Sequence, residues 1–81
     1  MKVVGFRRCE FTAKDKTEVK GFNIFVEEEI SSNGKGLQTN KFFFSDAKIA
    51  KLNMDIEGML DRNIILSYNR WGSVERVIVQ D

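Results

Sequence analysis

Lys41-Phe42-Phe43-Phe44 is the stretch that most restricts how this chain can fold. Consecutive side chains of a β-strand point to opposite faces of the sheet, so three adjacent rings cannot share one core. If Phe42 and Phe44 point inward, Phe43 points out beside Lys41. Phe22-Asn23-Ile24-Phe25-Val26 repeats the arrangement: Phe22, Ile24 and Val26 share a face, leaving Phe25 on the other with Asn23. Rings held outward next to cations suit a flat, anionic ligand, and single-stranded nucleic acid has that chemistry.

The remaining strands fall into order around these two. A first strand runs from about Lys2 to Phe11, apolar at Val4 and Phe6, with Arg7 and Arg8 on opposite faces. Thr12 to Lys20 is polar and reads as a surface loop, followed by a long strand from about Val19 to Ile30. Asn33-Gly34 supplies the positive φ angles of a hairpin turn, and a third strand runs from Leu37 to Ser45. The period then changes. Ser45 and Asp46 are good N-cap types, and Ile49, Leu52 and Ile56 follow at helical spacing, which predicts a short helix over Asp46 to Asn53 that ends before Gly58. A fourth strand, Asn63 to Asn69, carries Ile64, Leu66 and Tyr68 on one face. Asn69-Arg70-Trp71-Gly72 reads as a tight turn into a last strand, Ser73 to Gln80, whose Val74, Val77, Ile78 and Val79 break alternation and imply a bulge.

Eighty-one residues make one domain, 1–81, with 42% apolar content and no linker or repeat. Strand-strand-strand-helix-strand-strand is the order of an OB-fold, a partly open five-stranded barrel with a helix between the third and fourth strands. The expected class is therefore an all-β, OB-fold-like barrel with one short helix; an SH3-like barrel has no natural place for that helix. Met1 to Arg8 becomes charged too soon for a signal-peptide apolar region, and no apolar run is long enough to cross a bilayer, so a cytoplasmic location without membrane contact is expected. The lone Cys9 fits that compartment, as a buried strand thiol.

Absences narrow the chemistry. With no histidine and one cysteine, structural zinc and histidine-based triads are excluded in practice, and no phosphate-binding glycine loop is present. Glu27-Glu28-Glu29 sets only Glu27 and Glu29 on one face, without convergent partners for a metal or for acid–base work. No catalysis, metal or cofactor is expected. Formal charge is +1, from 13 basic and 12 acidic residues, too balanced for a non-specific duplex binder. Residues 1 to 25 nevertheless carry six cations against three anions, a local excess able to follow a phosphate backbone.

Val3-Val4-Gly5-Phe6, Asn23-Ile24-Phe25-Val26, Lys41-Phe42-Phe43 and Tyr68-Asn69-Arg70-Trp71-Gly72-Ser73-Val74 resemble segments of short proteins carried by phages, plasmids and integrative elements of Gram-positive bacteria. The layout is also similar to the small single-stranded-DNA-binding proteins of filamentous phages, OB-type barrels that dimerise and coat replicating strands. That resemblance implies single-strand binding by a homodimer in the DNA replication, transfer or recombination of a mobile element. The chain departs from it in its single cysteine, short helix and near-neutral charge.

The expected interface has Phe25, Phe43 and Trp71 stacking on bases of single-stranded DNA or RNA, with Lys41, Arg70, Lys20, Arg7 and Arg8 neutralising phosphate. For Phe25 and Phe43 the alternative is a contact between protein copies. For Trp71 it is a cap folded over the barrel mouth. The competing function is a small regulatory module that docks on a host protein through the same rings.

Overall fold

In the computed structural model, which describes residues 1–80, five antiparallel strands form one sheet in the order β3-β2-β1-β4-β5. The strands are β1 (Lys2–Thr12), β2 (Glu18–Glu29), β3 (Leu37–Ser45), β4 (Asn63–Tyr68) and β5 (Val74–Gln80). Two short helices, α1 (Asp46–Lys51) and α2 (Ile56–Met59), lie between β3 and β4. The fold is all-β and barrel-like, but the sheet does not close: β3 and β5 are both edges.

The first three strands form a long meander. The β1–β2 turn is tighter than the polar run Thr12 to Lys20 suggests, because Thr12 pairs with Glu18 and Phe11 with Val19. Only five residues remain, closed by Ala13 N–H to the Thr17 carbonyl at 2.8 Å, with Lys16 in the left-handed region. Asp15 accepts from the Thr17 amide at 3.0 Å. The β2–β3 connection is longer than a two-residue Asn-Gly turn: Ile30 N–H reaches the Gly36 carbonyl at 2.9 Å, and positive φ falls at Asn33 and Gly36.

The core lies against one face of this sheet. Val3, Ile24, Val26, Phe44, Ile64 and Leu66 are buried there with Ile56 and Met59 of α2, while Phe6, Phe22 and Phe42 pack on the margin. Alternation therefore holds through the phenylalanine run and through β2. It slips in β1, where Val3 pairs with Val26 and Gly5 with Phe25. Val4 is the extra residue of a bulge and is exposed, so Val3 takes the core position beside Phe6. The bulge expected in β5 is present: Ser67 pairs with Arg76 and Tyr68 with Val74, leaving Glu75 extra.

The predicted single helix is two. Ser45 caps α1, its hydroxyl accepting from the Lys48 amide at 3.2 Å, but α1 buries no residue. The chain turns at Asn53, which has positive φ, and restarts with Asp55 accepting from the Gly58 amide at 3.1 Å. The break lets Ile56 and Met59 enter the core, so α2 rather than α1 plugs the barrel. β1 joins β4 only at its start: Lys2 pairs with Asn63, with Val3 N–H to the Arg62 carbonyl at 2.9 Å and Ile64 N–H to the Met1 carbonyl at 2.7 Å. Among the described residues, no helix is long and apolar enough to cross a membrane.

Candidate nucleic-acid interface

The face of β1–β2–β3 opposite the core carries the outward residues in rows. Arg7, Asn23 and Phe43 are cross-strand partners in one row, and Gly5, Phe25 and Lys41 form the next. Cross-strand neighbours lie about 4.8 Å apart, and residues two apart along a strand about 6.6 Å, so both rings and both cations fall within one small patch. Phe43 is 41% exposed and Phe25 is half-buried, so neither ring is sealed inside. Lys41 and Arg7 are exposed, and among the described residues neither enters an ion pair.

Each ring leans over a glycine of the next strand. A Cβ built on Gly21 would lie 2.8 Å from Cζ of Phe43, and one on Gly5 would lie 3.9 Å from Cδ2 of Phe25. The backbone thus provides a floor on which both rings rest while remaining open above. Leaning across Gly21 brings Phe43 to Phe11, which stands on the same face of β1, with ring centroids 6.2 Å apart and a tilt of 57°. Phe11 is exposed and belongs to the patch, although it was not among the residues expected to bind. The signal was present: Phe11 has the same parity as Arg7. Cys9, between them, is half-buried rather than sealed, with Sγ 2.8 Å from Nδ2 of Asn23.

Two expected cations lie elsewhere. Arg8 and Lys20 occupy the opposite face, as alternation from Arg7 and Gly21 requires. Arg8 donates to both carboxylate oxygens of Asp46 at 2.6 and 2.8 Å, reaches Glu10 at 3.3 Å, and lies 5.2 Å from the Phe22 ring centre. Its guanidinium holds the Asp46 carboxyl below the usual carboxylate range. Lys20 pairs with Glu18 at 3.6 Å. Both cations are balanced by carboxylates and stand apart from the Phe25–Phe43 face.

The acidic run bounds the patch. Glu27 and Glu29 continue along the aromatic face opposite Thr39 and Leu37, while Glu28, on the other face, accepts from Gln38 Nε2 at 3.2 Å. An anionic chain on this face is therefore directed away from the β2–β3 loop, toward Phe43 and Phe11.

Trp71 stands at the tip of the β4–β5 turn. Asn69 builds that turn, its Oδ1 accepting from the amides of Trp71 at 2.9 Å and Ser73 at 3.0 Å, while Gly72 takes positive φ. Trp71 is 75% exposed, so it does not fold over the barrel mouth. The Arg70 guanidinium lies 4.4 Å from the indole centre, within cation–π range. Beside the turn, Lys48 and Lys51 of α1 and the C-cap residue Leu52 form a cleft with Asn69, Ser73, Val74 and Glu75. Lys48 and Lys51, one helical turn apart, add cations that sequence reasoning had not assigned to the site.

Among family models, curated proteins and solved structures, nothing matches this chain.

Proposed function

We propose that the protein binds single-stranded nucleic acid, DNA in the first instance, by stacking bases on Phe43, Phe25 and Trp71 while Lys41, Arg7 and Arg70 neutralise phosphate. Phe11 extends the stacking surface beside Phe43. The observation that carries the reading is the pair of adjacent rows, Arg7–Asn23–Phe43 and Gly5–Phe25–Lys41, in which an open ring and an exposed cation recur on one face. Stacking on exposed rings is tolerant of sequence because every base has a π-face, and it contributes roughly 1–3 kcal/mol per base. A near-neutral chain needs only this local concentration of cations, since stacking supplies part of the affinity.

Trp71 is the single tryptophan, so its fluorescence reports on one site. Titration with oligo-dT at several salt concentrations is expected to quench it. With three cations engaged, log K should fall with log salt at a slope of about −2, from roughly 0.7 per phosphate on single strands. Absence of binding at low salt would refute the reading and favour docking on another protein through the same rings.

A further inference from the structure

We infer that β5 is a dimerisation edge, on which a second copy of this chain adds its own β5 antiparallel about a two-fold axis through Ile78. The inference goes beyond single-strand binding and stands without it.

The two open edges of the sheet differ in chemistry. The outer part of β3 reads Leu-Gln-Thr-Asn-Lys over Leu37–Lys41, polar and ending in a lysine, which is how edge strands commonly discourage pairing. β5 is protected only in its first half, by the bulge at Glu75 and by Arg76; beyond them Val77-Ile78-Val79 stands at the edge with no charge or proline among them. Both faces of β5 are apolar there. On the face away from the core, Ile78 pairs with Ile65, and they are 39% and 44% exposed. On the core face, Val77 packs inward but Val79 is left 43% exposed opposite buried Ile64. A strand edge offers unpaired N–H and C=O groups, so apolar area on both faces of one calls for another strand rather than a helix or a small molecule.

The residue order fits a copy of itself. Side chains opposite each other in an antiparallel pair lie on the same face, so a two-fold axis at Ile78 sets Ile78 against the partner's Ile78, Val77 against the partner's Val79, and Arg76 against the partner's Gln80. Ile65 and Ile78 then continue into an unbroken isoleucine row across both copies. The core-face row Leu66–Val77 runs on into the partner's Val79 and the partner's Ile64, covering the valine that is open in one copy. Other registers fit less well: an axis at Arg76 opposes two arginines, and one at Val77 places Arg76 against an isoleucine.

Sedimentation equilibrium over a concentration series should give twice the 9.4 kDa chain mass in the micromolar range, and Ile78→Lys should return a monomer that keeps its circular-dichroism spectrum, since Ile78 lies outside the core, and loses the concentration dependence of the wild-type melting temperature. Cysteine cross-linking in a Cys9→Ser background tests the register. On the axis, Ile78→Cys places two Cα atoms about 4.5–5.5 Å apart, within the disulfide range of about 4.4–6.8 Å, and should cross-link on mild oxidation. Ile65→Cys, three strand spacings from its mate at about 14 Å, should not. A wild-type monomer at every concentration would overturn the proposal, leaving the edge to another protein. A dimer that cross-links at position 65 but not at 78 would overturn it equally.

Discussion

Gly21→Ala probes the site and the fold together. Gly21 is buried in β2 between Cys9 of β1 and Ser45 of β3, beneath the Phe43 ring. A methyl group there would meet the Phe44 carbonyl oxygen, with Cα of Ser45 and Cζ of Phe43 each 2.8 Å away. The ring can swing aside, but two of these atoms are backbone, so β2 and β3 must part where they pair. Forced insertion of a methyl into close packing costs about 1–3 kcal/mol, against which the stiffer unfolded chain returns about 0.4–1 kcal/mol. The net loss is about 1–2 kcal/mol, or roughly 4–16 °C in melting temperature for a domain of this size. The buried core is small, so thermal circular dichroism should resolve such a change. Gly5→Ala is the internal control: its methyl would find only Cδ2 of Phe25, at 3.9 Å, an ordinary contact, and stability should move by less than about 0.5 kcal/mol. Equal melting temperatures for the two variants would refute the reading that close backbone approach, rather than sheet geometry in general, requires glycine at position 21.

Phe43→Ala should weaken oligo-dT binding by about 1–3 kcal/mol, or roughly 5- to 150-fold in Kd, while the domain stays folded with a melting temperature lowered by the lost contact with Phe11, since the ring stands outside the core; a fluorescence titration beside a thermal melt separates the two effects. Ser45→Ala removes the α1 cap and should cost about 1 kcal/mol in denaturant unfolding, since the Lys48 amide loses its acceptor. Acid should destabilise the fold through Asp46 and Asp15, whose carboxyls are held low by Arg8 and by the Thr17 amide respectively. A depressed folded-state pKa gives stability that is present above the unfolded value, near pH 4, and is lost as pH falls through the folded one. Melting temperature followed from pH 5 to pH 2 should therefore decline, and Asp46→Asn should flatten part of that decline; an unchanged slope in the variant would remove Arg8–Asp46 from the account.

What the sequence alone determined is everything that depends on near neighbours. The alternation in Phe42-Phe43-Phe44 and in Phe22 to Val26, the cap at Ser45 and the Asn69–Gly72 turn are set by the pleat, the backbone amides and permissible φ angles, all of which act within a few residues. The outward position of Phe43 was legible for that reason. What only the tertiary structure decided is what partner strands impose. The bulge that exchanges Val4 for Val3 exists because β1 must match β2, and the second helix exists because Ile56 and Met59 find room at the barrel end. Arg8 and Arg7 are adjacent in sequence, yet one meets Asp46, 38 residues away, while the other stands exposed in the row of Asn23 and Phe43. Charge composition could not separate them, because whether a cation is free depends on which distant carboxylate folding brings within reach.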